Sequence, residues 1–260
     1  MPRPRQAQIT PNAPCAPIKA TVGVCRFGFS GVNAGGAIAL VGDSHAEHWR
    51  AALEVVTQAL HWSGLSITQP SCPFTHATAV APEPKRVQCT QWNQGVVQWF
   101  DQHPEINTVF TSDHPGPVLT SPGQNQQDAK VAGITSAWNA LPATVKHIIV
   151  IRDVPFINQD TLPCVERAIA KREDAGLACA LPRGRAVHRD PDVVAAQQLR
   201  SPRVQVVDLT QFLCGSRLCY PVVGGALVYR DFFDHLTRVF ATTLGPFLLD
   251  QVARLMATWH

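Results

Sequence analysis

The sequence predicts an α/β fold, a three-layer α/β/α sandwich built around a central parallel sheet. Short apolar runs rich in β-branched residues recur along the chain, and longer segments with helical spacing separate them. Each run is apolar throughout rather than alternating, which is typical of parallel strands that are covered on both faces. A chain of 260 residues is long enough to bury one large core of this kind.

The order of these segments gives the expected elements. Strands are predicted at 37–41, 108–111, 147–151 and 204–207, with a weaker one at 65–68. Helices are predicted at 46–61, 90–102, 127–140, 163–174 and 190–199, and a last amphipathic helix at about 236–256. Residues 1–35 are rich in Pro and Gly, so we expect an irregular linker there and a folded domain over 36–260. In such sheets the ligand site lies beyond the carboxyl ends of the strands.

Cysteine usage favours an oxidising compartment. The eight cysteines fall into neighbouring pairs, which are Cys15 with Cys25, Cys72 with Cys89, Cys164 with Cys179, and Cys214 with Cys219. No CxxC zinc knuckle occurs, so disulfides paired by proximity are favoured over a metal site, and reduced thiols in a cytosolic enzyme are the alternative. The first residues do not resemble a signal peptide, and no apolar run is long enough to span a membrane. We therefore expect an excised extracytoplasmic portion of a larger protein.

The first predicted strand ends at a candidate nucleophile. Gly42-Asp43-Ser44-His45 follows the strand directly, and a helix is expected to begin there. Gly42 permits a tight turn, and the helix N-terminus offers backbone N–H groups to a developing oxyanion. A helix-capping serine is the alternative reading of Ser44. Asp43 and His45 are expected to serve the turn and its cap.

A candidate base lies just before the last predicted helix. His235 follows Asp231 and Asp234, either of which could hold the imidazole in one tautomer while its other nitrogen takes the serine proton. We favour Asp231, because a separation of four residues along a helical turn places two side chains on one face. Asp153 ends another predicted strand and is read as a loop residue before a turn.

These residues resemble a known family. Residues 42–45 look like the first block of the SGNH (GDSL-type) hydrolases, and residues 231–235 look like their last block. The chain is more closely similar to the extracytoplasmic SGNH domain fused to acyltransferase-3 membrane proteins of bacteria, especially actinobacteria. The segments that carry this closer likeness are 39–45, 71–74, 150–155 with Cys164, 206–209 with Cys214 and Cys219, and 228–237.

The resemblance implies a flavodoxin-like SGNH fold and an O-acyltransferase that works without a cofactor or metal. A transmembrane acyltransferase-3 domain of the same parent chain would bring an acyl group, expected to be acetyl, across the plasma membrane. The SGNH domain, on the outer face, would then move it through an acyl-serine onto an envelope glycan or glycolipid. Alone, it would act as an esterase and a monomer. The net charge of +3 is spread without a Lys/Arg block, so no nucleic-acid partner is expected.

The chain departs from the family pattern at two places. The last block of the family is Asp-x-x-His, whereas three residues separate Asp231 from His235 here. The Gly and Asn that the family uses in its oxyanion hole are not evident. Ser71, Ser112 and Asp113 are the candidates by position for oxyanion or substrate binding, beside the backbone of Ser44.

Two functions from other classes remain open on the sequence. A metallophosphoesterase could draw ligands from strand ends, where the candidates are Asp43, His45, His48, Asp113 and His114. The irregular last block also leaves room for a non-catalytic module that binds a glycan or regulates its membrane partner.

Overall fold

The computed structural model describes residues 4–31, 34–114 and 116–259, and this part of the chain contains eleven strands. They are β1 (Ala16–Ile18), β2 (Val24–Gly28), β3 (Gly36–Gly42), β4 (Trp62–Thr68), β5 (Thr108–Thr111), β6 (His147–Ile151), β7 (Leu181–Pro182), β8 (Val204–Val207), β9 (Leu218–Cys219), β10 (Val222–Val223) and β11 (Ala226–Leu227). Seven of these described strands form the main sheet in the order β1-β2-β4-β3-β5-β6-β8. The four shortest form two small antiparallel ladders, β7 with β9 and β10 with β11.

The main sheet is parallel from β4 to β8, as the sequence predicted. Chain order along these five strands reverses between β3 and β5, because β4 lies on one side of β3 and β5 on the other. Such a reversal opens a crevice at the carboxyl edge of a sheet, where ligands bind in folds of this class. The topology therefore places the loops after β3 and β5 at the expected ligand site.

Helices cover both faces of the sheet. They are α1 (Pro4–Ile9), α2 (Ser44–His48), α3 (Arg50–Leu60), α4 (Lys85–Asp101), α5 (Gln126–Ala140), α6 (Thr161–Ala170), α7 (Ala175–Ala178), α8 (Arg183–Ala186), α9 (Pro191–Leu199) and α10 (Arg238–Met256), with a 3₁₀ turn at Thr210–Phe212. Ile38 and Leu40 of β3 face α3 and α10, whereas Ala39 and Val41 face α4, α5 and α9. Burial on both sides explains why the strand is apolar throughout.

The predicted helices occur close to their expected positions, with shifts at the ends. The segment expected as one helix over 46–61 is present as α2 and α3, which meet at the buried Trp49. α4 begins at Lys85, five residues before the predicted start. Among the described residues, no helix has both the length and the apolar character needed to cross a membrane.

The N-terminal segment is more regular than expected. β1 and β2 lie within the predicted linker and extend the main sheet beyond β4 as an antiparallel edge. Val24 and Phe27 of β2 are buried, but Pro and Gly interrupt the pattern around them, so the segment looks irregular in the sequence. The structure thus corrects the expectation of an irregular linker between residues 16 and 28.

Four disulfides confirm the pairing expected from proximity. They join Cys15 to Cys25, Cys72 to Cys89, Cys164 to Cys179, and Cys214 to Cys219. The first links the residue before β1 to β2 at the sheet edge, and the second links the loop after β4 to α4. Each closes a short loop and so stabilises the fold by constraining the unfolded chain.

Candidate active site

The turn after β3 delivers Ser44 to the carboxyl edge of the sheet. Gly42 ends the strand with a φ of 143°, in the region that favours glycine. A Cβ at this position would lie 2.6 Å from Asp113 Oδ1 and 2.8 Å from the Ser112 carbonyl oxygen. Only glycine therefore fits between the end of β3 and the segment that follows β5. The chain then enters α2 at Ser44, whose side chain lines a cleft.

Asp43 stabilises this turn through hydrogen bonds to the backbone. Its carboxylate accepts the backbone N–H of His45 at 2.7 Å and that of His114 at 3.0 Å. Its own N–H donates to Asp113 Oδ1 at 2.9 Å, and Asp113 Oδ2 also accepts the N–H of Phe74 at 3.1 Å. Burial raises the pKa of Asp43 to about 6, although the neighbouring His45 and these N–H groups oppose the rise. The two buried aspartates therefore join the segments after β3, β4 and β5.

His45 is held between two acceptors. Its Nδ1 lies 2.7 Å from Asp153 Oδ1, and its Nε2 lies 2.9 Å from the carbonyl oxygen of Phe233. A carboxylate and a carbonyl both accept, so both ring nitrogens donate and His45 is a cation. Burial works against this charge, but the charges of Asp153 and Asp43 and the two hydrogen bonds outweigh it and raise the pKa of His45 to about 9.

Asp153 therefore does more than end a strand. Its carboxylate accepts the hydrogen bond from His45, and its backbone N–H donates to Asp190 Oδ2 at 2.8 Å. Asp190 in turn caps the N-terminus of α9. The sequence reading of Asp153 as a loop residue missed this pairing. Its place at the carboxyl end of β6, on the same sheet edge as Ser44, was the available signal.

The loop before α10 carries the candidate base. His235 Nδ1 lies 2.9 and 3.0 Å from the two carboxylate oxygens of Asp231, which also accepts the N–H of Phe233 at 3.0 Å. Partial burial raises the pKa of Asp231, but the hydrogen bond from His235, the N–H of Phe233 and the charge of Arg230 outweigh it, so the net shift is downward. Among the described residues, His235 Nε2 is buried and has no hydrogen-bond partner.

The approach of Asp231 to His235 has a different cause from the one expected. Residues 231–235 form a turn and not a helix, and the turn is closed by the Tyr229–Leu236 bridge and by the N–H of Arg230 donating to the His235 carbonyl at 2.7 Å. Asp231 and His235 are thus brought into contact because they lie next to the residues that close this turn.

Asp234 faces away from the imidazole. It has a φ of 66°, and its carboxylate accepts the N–H of Ile157 at 2.6 Å. Burial raises the pKa of Asp234 to about 6, against the effect of that N–H. Of the two aspartates that the sequence left open, Asp231 is the one in contact with His235.

Ser44 and His235 line one cleft of about 550 Å³. The Ser44 hydroxyl forms no hydrogen bond within the part of the chain that the structure describes. His235 lies in the wall of the same cleft. Much of the remaining lining is apolar, with Pro70, Pro73, Ala77, Ala79, Val80, Ala81, Pro117, Val118 and Phe233. A cleft of this size accommodates a substrate of moderate size.

The candidates for oxyanion or substrate binding occupy different places. Ser71 is exposed, has a φ of 57° and lines the cleft. Ser112 is fully buried and Asp113 holds two backbone N–H groups, so neither side chain lines the cleft. His114 does line it, and its ring lies 4.7 Å from that of His45. Contact of Ser71, Ser112 or Asp113 with a substrate stays a prediction.

One group of side chains could be considered for a metal. One ligand atom from each of His45, His48 and Asp153 lies within 4.8 Å of the others. Both nitrogens of His45 already donate to acceptors, and a metal would need one of them deprotonated. The donor set therefore fits a hydrogen-bonded cation better than a metal centre.

Comparisons with known proteins give one family and one fold. The family model described as "SGNH domain (fused to AT3 domains)" matches residues 10–250. The solved structure of the periplasmic domain of the Salmonella ser. Paratyphi A lipopolysaccharide acetyltransferase is similar with a TM-score of 0.65. That match has 13% sequence identity and covers 85% of this chain and 85% of that chain. The search of curated proteins finds no match.

Proposed function

The chain belongs to the family of SGNH domains fused to AT3 domains, and from this premise we propose that it transfers an acyl group through Ser44. The acceptor in this proposal is a hydroxyl group of an envelope glycan or glycolipid, and water can replace it in the isolated domain. Acetyl is the first acyl group to test, because the similar solved structure comes from a lipopolysaccharide acetyltransferase.

The observation that carries the proposal is the orientation of the His235 ring. Its Nδ1 lies 2.9 Å from Asp231 Oδ2, a carboxylate oxygen that accepts, so the neutral form of the ring carries its lone pair at Nε2. That nitrogen has no partner among the described residues, and His235 lines the same cleft as the unpartnered Ser44 hydroxyl. A rotation of the Ser44 side chain toward Nε2 would complete the serine–histidine pair, and such contacts are often loose before substrate binds.

The first chemical step follows from this arrangement. His235 Nε2 takes the proton of Ser44 Oγ as Oγ attacks the carbonyl carbon of the acyl donor, and the negative charge moves to the carbonyl oxygen. Asp231 stabilises the imidazolium that forms. His235 then gives the proton to the leaving group, and the acyl group stays on Ser44. A hydroxyl group of the acceptor then attacks the acyl-serine and gives its proton to His235. His235 returns that proton to Ser44 Oγ as the bond between Oγ and the acyl group breaks.

The oxyanion needs donors near Ser44. The N–H of His45 is committed to Asp43, so the Ser44 backbone N–H is the favoured donor from the turn. Ser71 is the favoured second source, because it lies at the cleft wall in the loop after β4. The buried cation of His45, whose ring centroid lies 5.0 Å from that of His235, adds positive charge beneath this region.

The proposed setting is the outer side of a bacterial membrane. Four disulfides favour an oxidising compartment, and the family is one whose members are fused to AT3 domains. The partner in the proposal is therefore an AT3 transmembrane domain of the parent chain, which would present the acyl donor to the cleft.

Hydrolysis of 4-nitrophenyl acetate by the purified chain tests the proposal. Ser44→Ala should reduce the rate by about 10³-fold or more while the melting temperature is kept. Ser136→Ala is the matched control, because Ser136 is an exposed serine on α5. Activity that survives in Ser44→Ala, or that EDTA abolishes, would contradict a serine mechanism and favour the metal alternative.

A further inference from the structure

A second recess borders the same two side chains as the cleft. It measures about 50 Å³ and shares Ser44, Glu47, Arg230 and His235 with the larger cleft. We call this recess the polar groove, and its other lining residues include Asn12, His48 and Arg238. The groove is therefore small, polar and in contact with the proposed reaction centre, whereas the larger cleft is lined mainly by apolar side chains.

His48 lines the groove and carries a buried nitrogen without a hydrogen-bond partner among the described residues. Its side chain is buried, with 4% exposure, and Nδ1 accepts the backbone N–H of Leu236 at 3.5 Å. Burial, together with the positive charges of His45 and Arg230, lowers the pKa of His48 well below its usual value, so the ring is neutral. The remaining proton then lies on Nε2, which has no partner within the described residues.

The charges around the groove are mainly positive. Arg238 forms no ion pair with any residue that the structure describes, and Arg230 has only a 3.4 Å contact from Nε to Asp231. Asp231 is itself shared with His235. Glu47 is the acidic group in the groove wall, and it lies 3.5 Å from Arg50. Two guanidinium groups are thus left with most of their donors free.

We propose that the polar groove binds a small anionic group, a carboxylate or a phosphate, carried by the substrate close to the reacting ester. Guanidinium groups match these two anions through parallel hydrogen bonds, and the groove holds two of them beside the neutral His48 ring. The groove has about one eleventh of the volume of the larger cleft, so it can take only a small group. The inference rests on the proposed function for the role of the anion, but the site can be tested by binding alone.

Binding is measured on the Ser44→Ala protein with inorganic phosphate. Titration should move the nitrogen NMR signals of His48, and chloride at equal ionic strength should not. Arg238→Gln and, separately, Arg230→Gln should weaken phosphate binding about tenfold, which is the fold-change expected for losing a hydrogen bond to a charged group. Arg254→Gln is the control, because Arg254 pairs with Asp250 at the far end of α10. No response of His48, or equal binding by all the arginine variants, would overturn the site.

A kinetic arm identifies which part of the substrate carries the anion. The half-ester 4-nitrophenyl succinate and the neutral 4-nitrophenyl butyrate have acyl chains of similar length. A higher kcat/KM for the half-ester that Arg238→Gln removes would place the anion on the acyl group. Equal kcat/KM values, with phosphate still acting as an Arg238-dependent inhibitor, would place it on the acceptor.

The two arms separate this inference from the proposed function. Phosphate binding at His48 without any ester hydrolysis would keep the groove and reject the serine mechanism. Hydrolysis that depends on Ser44, without phosphate binding and without preference for the half-ester, would keep the mechanism and reject the groove.

Discussion

The two halves of the proposed catalytic pair are held in opposite ways. The turn that carries Ser44 is surrounded by buried polar side chains, since Asp43, His45 and His48 are each less than 5% exposed. The loop that carries His235 lies at the surface, where Phe232 and Phe233 are more than half exposed. The candidate nucleophile thus lies in a buried turn, and the candidate base lies on a more exposed loop.

The contact from His45 to the Phe233 carbonyl joins these halves. It links a cation in the Ser44 turn to the backbone of the His235 loop, and Asp234 makes a second anchor through the N–H of Ile157. We infer that the loop depends on the turn for its position, whereas the turn has its own support from Asp113 and Asp153. Variants in the turn and in the loop test this difference.

His235→Ala should have the largest effect, because it removes the base from the surface loop and leaves the buried turn intact. We expect kcat for 4-nitrophenyl acetate to fall by about 10³-fold, within the range of general-base catalysis, with little change in melting temperature. Steady-state kinetics and thermal unfolding measure the two quantities. A variant that keeps wild-type turnover would remove His235 from the mechanism.

His45→Gln should act on both halves. Removing one partner of a buried ion pair leaves Asp153 without its cation, so we expect the free energy of unfolding to fall by about 3 kcal/mol or more. Chemical denaturation measures this loss. His103→Gln breaks an exposed pair with Glu105 and should change stability by less than about 1 kcal/mol. Equal stability of the two variants would contradict a buried His45 cation.

Asp231→Asn and Asp234→Asn distinguish the two aspartates of the loop. Loss of the Asp231 carboxylate should lower kcat by about 10²-fold, because the charge that stabilises the imidazolium is removed. Asp234→Asn should keep most activity, since Asn can still accept the N–H of Ile157 and tolerates a positive φ. The reverse ranking in steady-state kinetics would assign the acid role to Asp234.

Stability should fall gradually as the pH rises from about 6.5 to 9, and this is the smallest expected effect. The raised pKa of His45 means that the native state keeps a proton that the unfolded chain releases in this window. His45 therefore contributes fully below the usual histidine pKa, and its contribution is lost as the pH passes about 9. The melting temperature should decline by about 5 °C or more in the wild type and less in His45→Gln. Parallel declines would assign the effect to other groups.

Local patterns in the sequence were enough to predict much of this fold. The apolar strands, the four disulfides and the positions of Ser44 and His235 at strand and helix ends all follow from short segments. The His45–Asp153 contact could not be found that way, because 108 residues separate the partners. The edge strands β1 and β2 were missed because short strands carry too little periodicity to be recognised.

The loop after β5 shows a second limit. Candidates Ser112 and Asp113 directly follow the strand, yet the structure turns His114 toward the cleft. Successive residues of a strand point to opposite faces, so an uncertainty of one or two residues in the strand end changes which side chain reaches a site. Residue identity alone does not resolve that uncertainty.

Covalent labelling of Ser44 tests the central claim most directly. The folded protein is incubated with a fluorophosphonate, digested and examined by mass spectrometry, with Ser44→Ala as the control. We predict a single phosphonyl adduct on the peptide containing Ser44, slower labelling in His235→Ala, and none in Ser44→Ala. Labelling at another residue, or no adduct on the folded wild-type chain, would contradict an acyl-serine mechanism and favour a binding module.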